Sequence, residues 1–362
     1  MPDTAPSRLF VGCMTGTSLD GLDVAIVEIT GTGLDISPRL IDFVDRPLGE
    51  IGARLRTLAD QTPMKAADIA RLALEFGELH AGVIQSLLAG RRAELITVHG
   101  QTVFHAPPAS WQMINPWPIV ERTRCPVVCD LRGADLAAGG QGAPITPLAD
   151  WTLFRGATSR AIINLGGFCN ITLLPASTGS IELIRGMDVC ACNHILDRVA
   201  QRALGKPFDE GGAAAMRGVP STGASLELTE LLQRQSALGR SLGTGDEAAR
   251  WVDDRSRTLQ PNDLAATAVE GLARAIAGTI PEDSEPIVAG GGARNRALIK
   301  HLGAHLVREV RTTADLGVPI HAREAVGMAV LGALASDGVP ITLPRVTGRR
   351  ESTPRSGLWI HP

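Results

Sequence analysis

Short apolar runs punctuated by turns of small and polar residues dominate the pattern of this 362-residue chain. Residues 9–13 and 24–29 are two such runs of strand length, and residues 12–23 (GCMTGTSLDGLD) lead from one to the other. The design recurs at residues 161–174 (AIINLGGFCNITLL), where an apolar run enters a Gly-Gly turn and leaves in another run. A third instance, residues 287–295 (IVAGGGARN), sets a triple glycine between a buried strand and a helix starting near Arg294. Elsewhere Ile69, Leu72, Phe76, Ile84 and Leu87 fall on a helical period and predict a helix over 64–88. Residues 95–98, 126–129 and 181–184 read as short strands, and helices are expected at 193–204, 262–279, 294–305 and 322–336. Strand and helix signals alternate over a length greater than one ordinary domain, so the pattern predicts an α/β protein of two lobes. The expected division is residues 1–134 with 340–362 as the N-terminal lobe and 135–339 as the C-terminal lobe, the closing segment packing back on the first lobe.

The turns carry the candidate chemistry. In the first, Gly12, Gly16 and Gly21 permit close backbone approach, Thr15, Thr17 and Ser18 supply hydroxyls, and Asp20 and Asp23 suit a hydrated divalent cation. That inventory fits a nucleotide phosphate with its magnesium; the plain alternative is an ordinary hairpin loop. The second turn adds Asn164, Asn170 and Thr172 as polar contacts. The third departs from a dinucleotide-binding fingerprint, because Asn295 stands where the last glycine belongs and the motif lies far from the N-terminus. No GxxxxGK[ST] P-loop occurs, so an ATP site here is of another type. His99-Gly100-Gln101-Thr102 and Asp130-Leu131-Arg132 each follow a strand, where α/β sheets present ligand contacts. Residues 135–147 (DLAAGGQGAPITP) read as a plain linker or, given their charges and Gln141 beside a strand end, as a cleft-lining hinge between lobes. Asp188 stands just before an expected helix start, where an aspartate is most often an N-cap.

Composition narrows the partners. The net charge is −3, and basic and acidic residues are interspersed, which gives no electrostatic footprint for nucleic acid or an anionic membrane. The opening MPDTAPSRLF lacks the apolar core of a secretory leader, and the longest uncharged apolar stretch, 325–336, is too short to span a bilayer. A soluble, cytoplasmic protein is the expectation. Six scattered cysteines do not form a disulfide framework; Cys190, Cys192 and His194 alternate, yet three ligands on one segment lack a fourth for a soft metal. Aromatics make up 3% of the chain, so any stacking platform must use its few Trp and Phe residues.

Two phosphate hairpins followed by a glycine-rich turn resemble the order in the actin, heat-shock ATPase and sugar-kinase superfamily. More specifically, the succession GCMTGTSLDGLD, HGQT, DLRGADLAAGGQGAP, NLGGFCNIT, FDEGG, AGGGARN and REAVGMAVLGALA resembles the anhydro-N-acetylmuramic acid kinases of bacteria, from Val11 to Pro344. The resemblance implies a two-lobe actin-like ATPase (ribonuclease H-like) fold with an interdomain cleft. It implies a reaction in which ATP and water open the 1,6-anhydro bridge of the sugar while O6 is phosphorylated, giving a 6-phosphate for cell-wall recycling. Carried over position by position, Gly16, Thr17, Ser18, Asp20 and Gly21 match the first phosphate loop, with Asp20 a magnesium contact. Asn164, Gly166 and Gly167 match the second, and Gly290, Gly291, Gly292 and Asn295 the adenosine contact. His99, Gln101, Asn115, Arg132 and Glu324 fall at sugar-cleft positions, and Asp188 corresponds to the carboxylate that activates the attacking water. The implied partners are ATP, Mg²⁺ and a small sugar, with a homodimer left open.

Two segments depart from the family pattern. Val189-Cys190-Ala191-Cys192-Asn193 replaces Thr-Gly-Pro-Gly-Asn after the aspartate, which sets the expectation of a reshaped acceptor pocket with reactive thiols near a helix start. Ser241-Leu242-Gly243-Thr244-Gly245-Asp246-Glu247 replaces Lys-Ser-Thr-Gly-Arg-Glu and lacks both basic residues. Beside the family's own reaction, these departures keep two alternatives open: a related kinase for another sugar, and a nucleotide-binding regulatory protein without turnover.

Overall fold

The computed structural model of the chain describes residues 7–16, 19, 21–237, 246–351 and 353–362. Thr17, Ser18 and Asp20 of the expected first phosphate loop, and 241–245 of the second divergent segment, lie outside the described residues. The strands are β1 (Arg8–Thr15), β2 (Gly21–Thr30), β3 (Ser37–Pro47), β4 (Leu95–Val98), β5 (Gln101–Ala106), β6 (Ala109–Met113) and β7 (Val127–Cys129). They continue as β8 (Arg160–Leu165), β9 (Phe168–Leu174), β10 (Arg185–Ala191), β11 (Glu285–Ala289), β12 (Arg311–Thr312) and β13 (Leu358–Ile360).

The chain divides into two compact units. The first comprises Met1–Phe154, Ser180–Ile184 and Ala322–Pro362; the second comprises Arg155–Gly179 and Arg185–His321. In the first, the sheet order is β13-β7-β4-β1-β2-β3, with β1 antiparallel to β2, β2 antiparallel to β3, and β1, β4 and β7 parallel. In the second, the order is β10-β9-β8-β11-β12, with the same alternation: two antiparallel hairpins, then two parallel neighbours. Numbered in chain order within its own sheet, the second runs 3-2-1-4-5 and the first 3-2-1-4-5-6, the sixth strand being β13. The repeated hairpin-then-crossover pattern in the sequence is this repeated topology.

Each sheet covers its own core. In the first unit Val11, Cys13, Val24, Ile26, Ile96 and Val98 pack with Leu72, Phe76 and Ile84 of the helix Ala66–Leu88. The other face receives the helix Arg323–Ser336, whose small residues let backbones meet closely: a Cβ on Gly12 would lie 2.0 Å from the Ala325 carbonyl oxygen, and one on Gly332 1.8 Å from Thr97 Oγ1. Those contacts move the boundary between units away from the sequence expectation. Residues 322–339 belong to the first unit because this helix is packed on β1 and β4.

Residues 135–147 are likewise part of the first unit, and the hinge reading is corrected. Gly133–Ala137 form a short helix in which Asp135 is fully buried, accepting from Gly142 N (2.7 Å) and Thr347 Oγ1 (2.6 Å) with Arg349 Nε at 3.7 Å. A buried carboxylate held by three partners anchors the closing segment, which ends as β13 paired antiparallel to β7. The strand expected at 181–184 is a 3₁₀ turn, Ile181–Leu183. The helix expected at 193–204 runs Asn193–Val199 and widens into a π turn at Ala200–Leu204. Among the described residues no helix is long and apolar enough to cross a membrane.

Candidate active site

The sugar-cleft residues expected from the sequence lie in the first unit. His99 follows β4 and Arg132 follows β7, and the two parallel strands place both at the same sheet end. Just before Arg132 the backbone turns through Asp130 at φ +51°, a left-handed conformation that Asp tolerates better than most residues. The Arg132 guanidinium donates from Nε and Nη2 to Nε2 of His99, at 3.2 and 3.0 Å. Nδ1 of His99 lies 2.8 Å from the Gly100 carbonyl oxygen, an acceptor, so the ring carries its proton there and offers Nε2 as a lone pair. Burial, reinforced by the Arg132 charge, pushes His99 down to about 3, and burial lowers Arg132 to about 10. Glu324 opens the helix Arg323–Ser336; burial raises its carboxyl, opposed by the charges of Arg323 and Arg132 and assisted by Asp150.

Gln101 is buried, with Nε2 donating to the Thr102 carbonyl at 3.1 Å and Oε1 without a partner among the described residues. A buried acceptor of this kind suits a ligand hydroxyl. Asn115 behaves differently: its Oδ1 accepts from Trp117 N at 3.1 Å and caps the turn into the helix Trp117–Thr123. A Cβ on Gly21 would meet only the end of the exposed Asp45 side chain on the neighbouring strand, which is free to turn away. Gly16 accepts from Leu19 N at 3.2 Å within the turn after β1.

The second unit holds the other expected residues. Gly166 and Gly167 join β8 to β9, and their carbonyls accept from Asn193 N (3.0 Å) and Cys192 N (2.8 Å), so this hairpin caps the helix Asn193–Val199. Asn164, next to last in β8, lies directly opposite Asn170 of β9, and Asn170 is directly opposite Asp188 of β10. The N-cap expectation for Asp188 is therefore corrected: it lies within a strand, exposed, and Cys192 occupies the cap position. The chain around it still withdraws enough water to raise its carboxyl above the ordinary range.

After β11 comes the triple glycine. Gly290 has φ +79°, and a Cβ there would meet Asn164 Oδ1 at 2.8 Å; a Cβ on Gly292 would meet Leu165 at 2.8 Å. Gly291 differs, with only Asn193 Nδ2 at 3.9 Å. It faces a cavity of about 1340 Å³ whose wall also includes Lys206, Phe208, Arg217 and Arg294. This exceeds the roughly 300–1,000 Å³ of common small-molecule pockets and accommodates a nucleotide. Asn295 borders the cavity, yet its Oδ1 accepts from Leu298 N at 3.0 Å as the N-cap of the helix Arg296–Leu306. A smaller groove of about 580 Å³ between β3 and the helix Ala66–Leu88 has no comparable turn.

Known proteins match this chain over its length. The family described as Anhydro-N-acetylmuramic acid kinase matches residues 8–357. The chain belongs to the anhydro-N-acetylmuramic acid kinase family. A Salinibacter ruber protein named Anhydro-N-acetylmuramic acid kinase is 35% identical over 383 residues, covering 98% of this chain and 96% of its own. A Gloeobacter violaceus protein of the same name is 35% identical over 380 residues, covering 98% of each. A solved ROK family glucokinase from Streptomyces griseus, in complex with glucose and AMPPNP, covers 90% of this chain and 98% of its own at 15% identity and a TM-score of 0.42.

In this member of the anhydro-N-acetylmuramic acid kinase family both units are α/β, and the five strands β10-β9-β8-β11-β12 of the second repeat the order β3-β2-β1-β4-β7 of the first. The divergent segment after Asp188 is packed inward. Val189, Cys190, Ala191 and Cys192 all join the second unit's core, and the cysteines are fully buried. Burial raises the Cys190 thiol well above its ordinary value and Cys192 to about 12, so the expected lowered, reactive thiols are not found. His194 packs edge-on against Phe168, ring centroids 4.9 Å apart. Among the described residues no three His, Cys, Asp or Glu side chains gather as a cation site. Sequence reasoning missed the cavity's basic rim and exposed Phe208; the signal was FDEGG itself, an aromatic in a polar, glycine-bearing turn of an aromatic-poor chain.

Proposed function

We propose that the protein converts 1,6-anhydro-N-acetylmuramic acid, ATP and water into N-acetylmuramic acid 6-phosphate and ADP. Asp188 takes a proton from water, whose oxygen bonds to C1; the C1–O6 bond breaks, its electron pair stays on O6, and O6 takes the γ-phosphoryl group as ADP leaves. One carboxylate with a raised pKa suits a general base near neutral pH. The observation that carries the reading is the family match across residues 8–357, with Asp188 in an exposed strand position beside the second hairpin.

The second unit's cavity supplies the nucleotide contacts, with the Gly291 backbone open toward it and basic side chains at its rim. Asn164, Gly166 and Gly167 serve the phosphates in this proposal. His99, Gln101, Arg132 and Glu324 of the first unit serve the sugar: Gln101 Oε1 accepts from a hydroxyl, His99 holds the Arg132 guanidinium through Nε2, and Arg132 meets the carboxylate. Asn115 and Asn295 act through the turns they cap. Mg²⁺ bound with the triphosphate supplies charge neutralisation and needs only one or two protein carboxylates, a role assigned to Asp20. ATP as donor puts the reaction in the cytoplasm.

The test is turnover in ¹⁸O-labelled water with ATP. Label at C1 and phosphate on O6 are expected. Equal phosphorylation of simple hexoses, or ATP binding with no turnover on the anhydro sugar, would overturn the assignment in favour of another acceptor or a regulatory protein.

A further inference from the structure

Two helices border the large cavity of the second unit. Pro261–Ala277 supplies Ala265 and Val269 to its wall, and Arg296–Leu306 supplies Arg296, with Asn295 as N-cap. The second of these helices carries the ligand-facing turns with it. Asn295 N donates to the Gly292 carbonyl at 3.0 Å, and a Cβ on Gly212 of the FDEGG turn would overlap Asn295 Oδ1. Where this helix stands against its neighbour therefore sets the position of Gly291 and of the turn that bears Phe208.

One carboxylate brackets the two helices. Glu270, the residue after Val269, receives His301 Nδ1 on Oε2 at 2.7 Å and His305 Nε2 on Oε1 at 3.0 Å, while Arg274 of its own helix donates to Oε1 at 2.7 Å. An ionised carboxylate only accepts, so each ring presents an N–H to it. Burial opposes the charge, yet the hydrogen bonds from Arg274 and His301, with His305 beside them, hold the Glu270 carboxyl at about 2. Both oxygens are taken, one of them by a guanidinium, so the cluster is a bracket and not a cation site. Val269, Leu272 and Ala273 of one helix and Leu298 and Leu302 of the other belong to one apolar core. Apolar contact is non-directional and tolerates a slide or roll of one helix over the other. His301 and His305 lie one turn apart, so two bonds to a single carboxylate fix both the height and the rotation of the second helix.

We propose that Glu270 is a positioning residue for nucleotide binding: by bracketing His301 and His305 it holds the helix Arg296–Leu306 at the setting that keeps Asn295 and Gly291 in place for ATP. This rests on the reading of the cavity as the nucleotide site. Glu270 is not part of the cavity wall and acts only through the helix it holds. The anchor points sit one to two and a half turns beyond Asn295, close enough that a shift of the helix is felt at its first turn.

The test is ATP calorimetry and steady-state kinetics of Glu270→Ala, Glu270→Gln and His305→Gln in the full chain. Glu270→Ala is expected to weaken ATP binding about tenfold and to raise KM for ATP, with KM for the anhydro sugar within about twofold of wild type. Glu270→Gln keeps one accepting oxygen and recovers part of the loss, and His305→Gln, which removes one anchor of two, falls between. Glu285→Ala is the reference for a purely structural effect: it strips Arg160 and Arg311 of their partner in the same unit's sheet, away from both helices. It is expected to lower the thermal midpoint and leave ATP affinity unchanged. Equal weakening of ATP binding in Glu285→Ala and Glu270→Ala, or wild-type affinity in Glu270→Ala, overturns the proposal while leaving the cavity as the nucleotide site. If Glu270→Ala does not fold, wild-type ATP affinity in both Glu270→Gln and His305→Gln overturns it equally. Unchanged ATP affinity in Gly291→Val removes the cavity reading, and with it any positioning role for Glu270.

Discussion

Arg132 donates two hydrogen bonds to a single nitrogen, Nε2 of His99, and so holds a buried imidazole neutral in a defined tautomer. His99 is pushed down to about 3, and a second buried ring, His80, to about 4 by burial, with Nδ1 2.8 Å from the Phe76 carbonyl oxygen. Both folded pKa values lie below that of an unfolded histidine. Their contribution to stability is therefore complete above about pH 6.5 and is lost as pH falls toward 4 and 3, each adding a slope of up to about 1.4 kcal/mol per pH unit. Urea unfolding at pH 7.5 and 5.0 checks this: wild type is expected to lose stability, and His80→Gln to lose less. An unchanged slope in His80→Gln would mean that other groups govern the acid limb.

The three glycines after β11 are not equivalent. Gly290 and Gly292 are closed by protein atoms, whereas Gly291 borders the cavity with free space around its Cβ position. Gly291→Val is expected to fold, with a thermal midpoint close to wild type, and to weaken ATP binding tenfold or more. Gly290→Val forces a branched side chain into a left-handed conformation and should destabilise instead, by roughly 2 kcal/mol or more. Gly223, with nothing within 4 Å, is the control position; Gly31 is unsuitable because its φ is +80° and a Cβ would lie 2.7 Å from the Asp35 carbonyl oxygen. Calorimetry with equal ATP affinity for wild type and Gly291→Val would remove the nucleotide assignment from this cavity.

Residue periodicity made the strands and long helices legible, because burial on one face imposes it. Val11, Cys13, Val24 and Ile26 are core residues, and the helix over 64–88 runs Ala66–Leu88. The unit boundary was not legible: the Gly-rich stretch at 135–147 reads as a linker, yet its conformation is fixed by Asp135, whose partner Thr347 lies 212 residues away. Pairings of that separation leave no local signal. The same holds for Asp188. Its sequence neighbours suggest a helix cap, but its environment is set by the register with Asn170, and a one-residue bulge decides which face Cys190 takes. Motif glycines were legible as a group without revealing which serve packing, as Gly290 and Gly292 do, and which face open space, as Gly291 does.

Asp150 and Arg323 form a buried ion pair at 3.0 and 2.5 Å, immediately before Glu324 in sequence. Both side chains are nearly inaccessible, at 2% and 4% exposure, so removing one partner strands the other charge away from water. Asp150→Ala is expected to destabilise the protein by about 3–5 kcal/mol. It also removes the negative neighbour that helps raise Glu324, leaving the Arg323 charge to pull that carboxyl down. Denaturant unfolding of Asp150→Ala with a loss under about 1 kcal/mol would show that the pair is dispensable.

All six cysteines are free and buried. Burial raises Cys13, Cys169 and Cys190 well beyond the ordinary thiol range, Cys192 to about 12, and Cys129 to about 11 by burial with the Asp130 charge assisting. A thiol that is both inaccessible and protonated is a poor nucleophile. Titration of the native protein with a disulfide reagent should therefore release less than one equivalent within minutes, rising to six after denaturation. Mild alkylation should leave turnover on the anhydro sugar unchanged. The triple variant Cys190→Gly, Ala191→Pro and Cys192→Gly restores the family's loop at the expense of core volume and of an amide in β10, and is expected to lose roughly 3 kcal/mol or more without changing sugar preference. Rapid modification of a thiol with parallel loss of sugar turnover would place one of these side chains in the acceptor pocket, against the inward packing of the 189–192 segment.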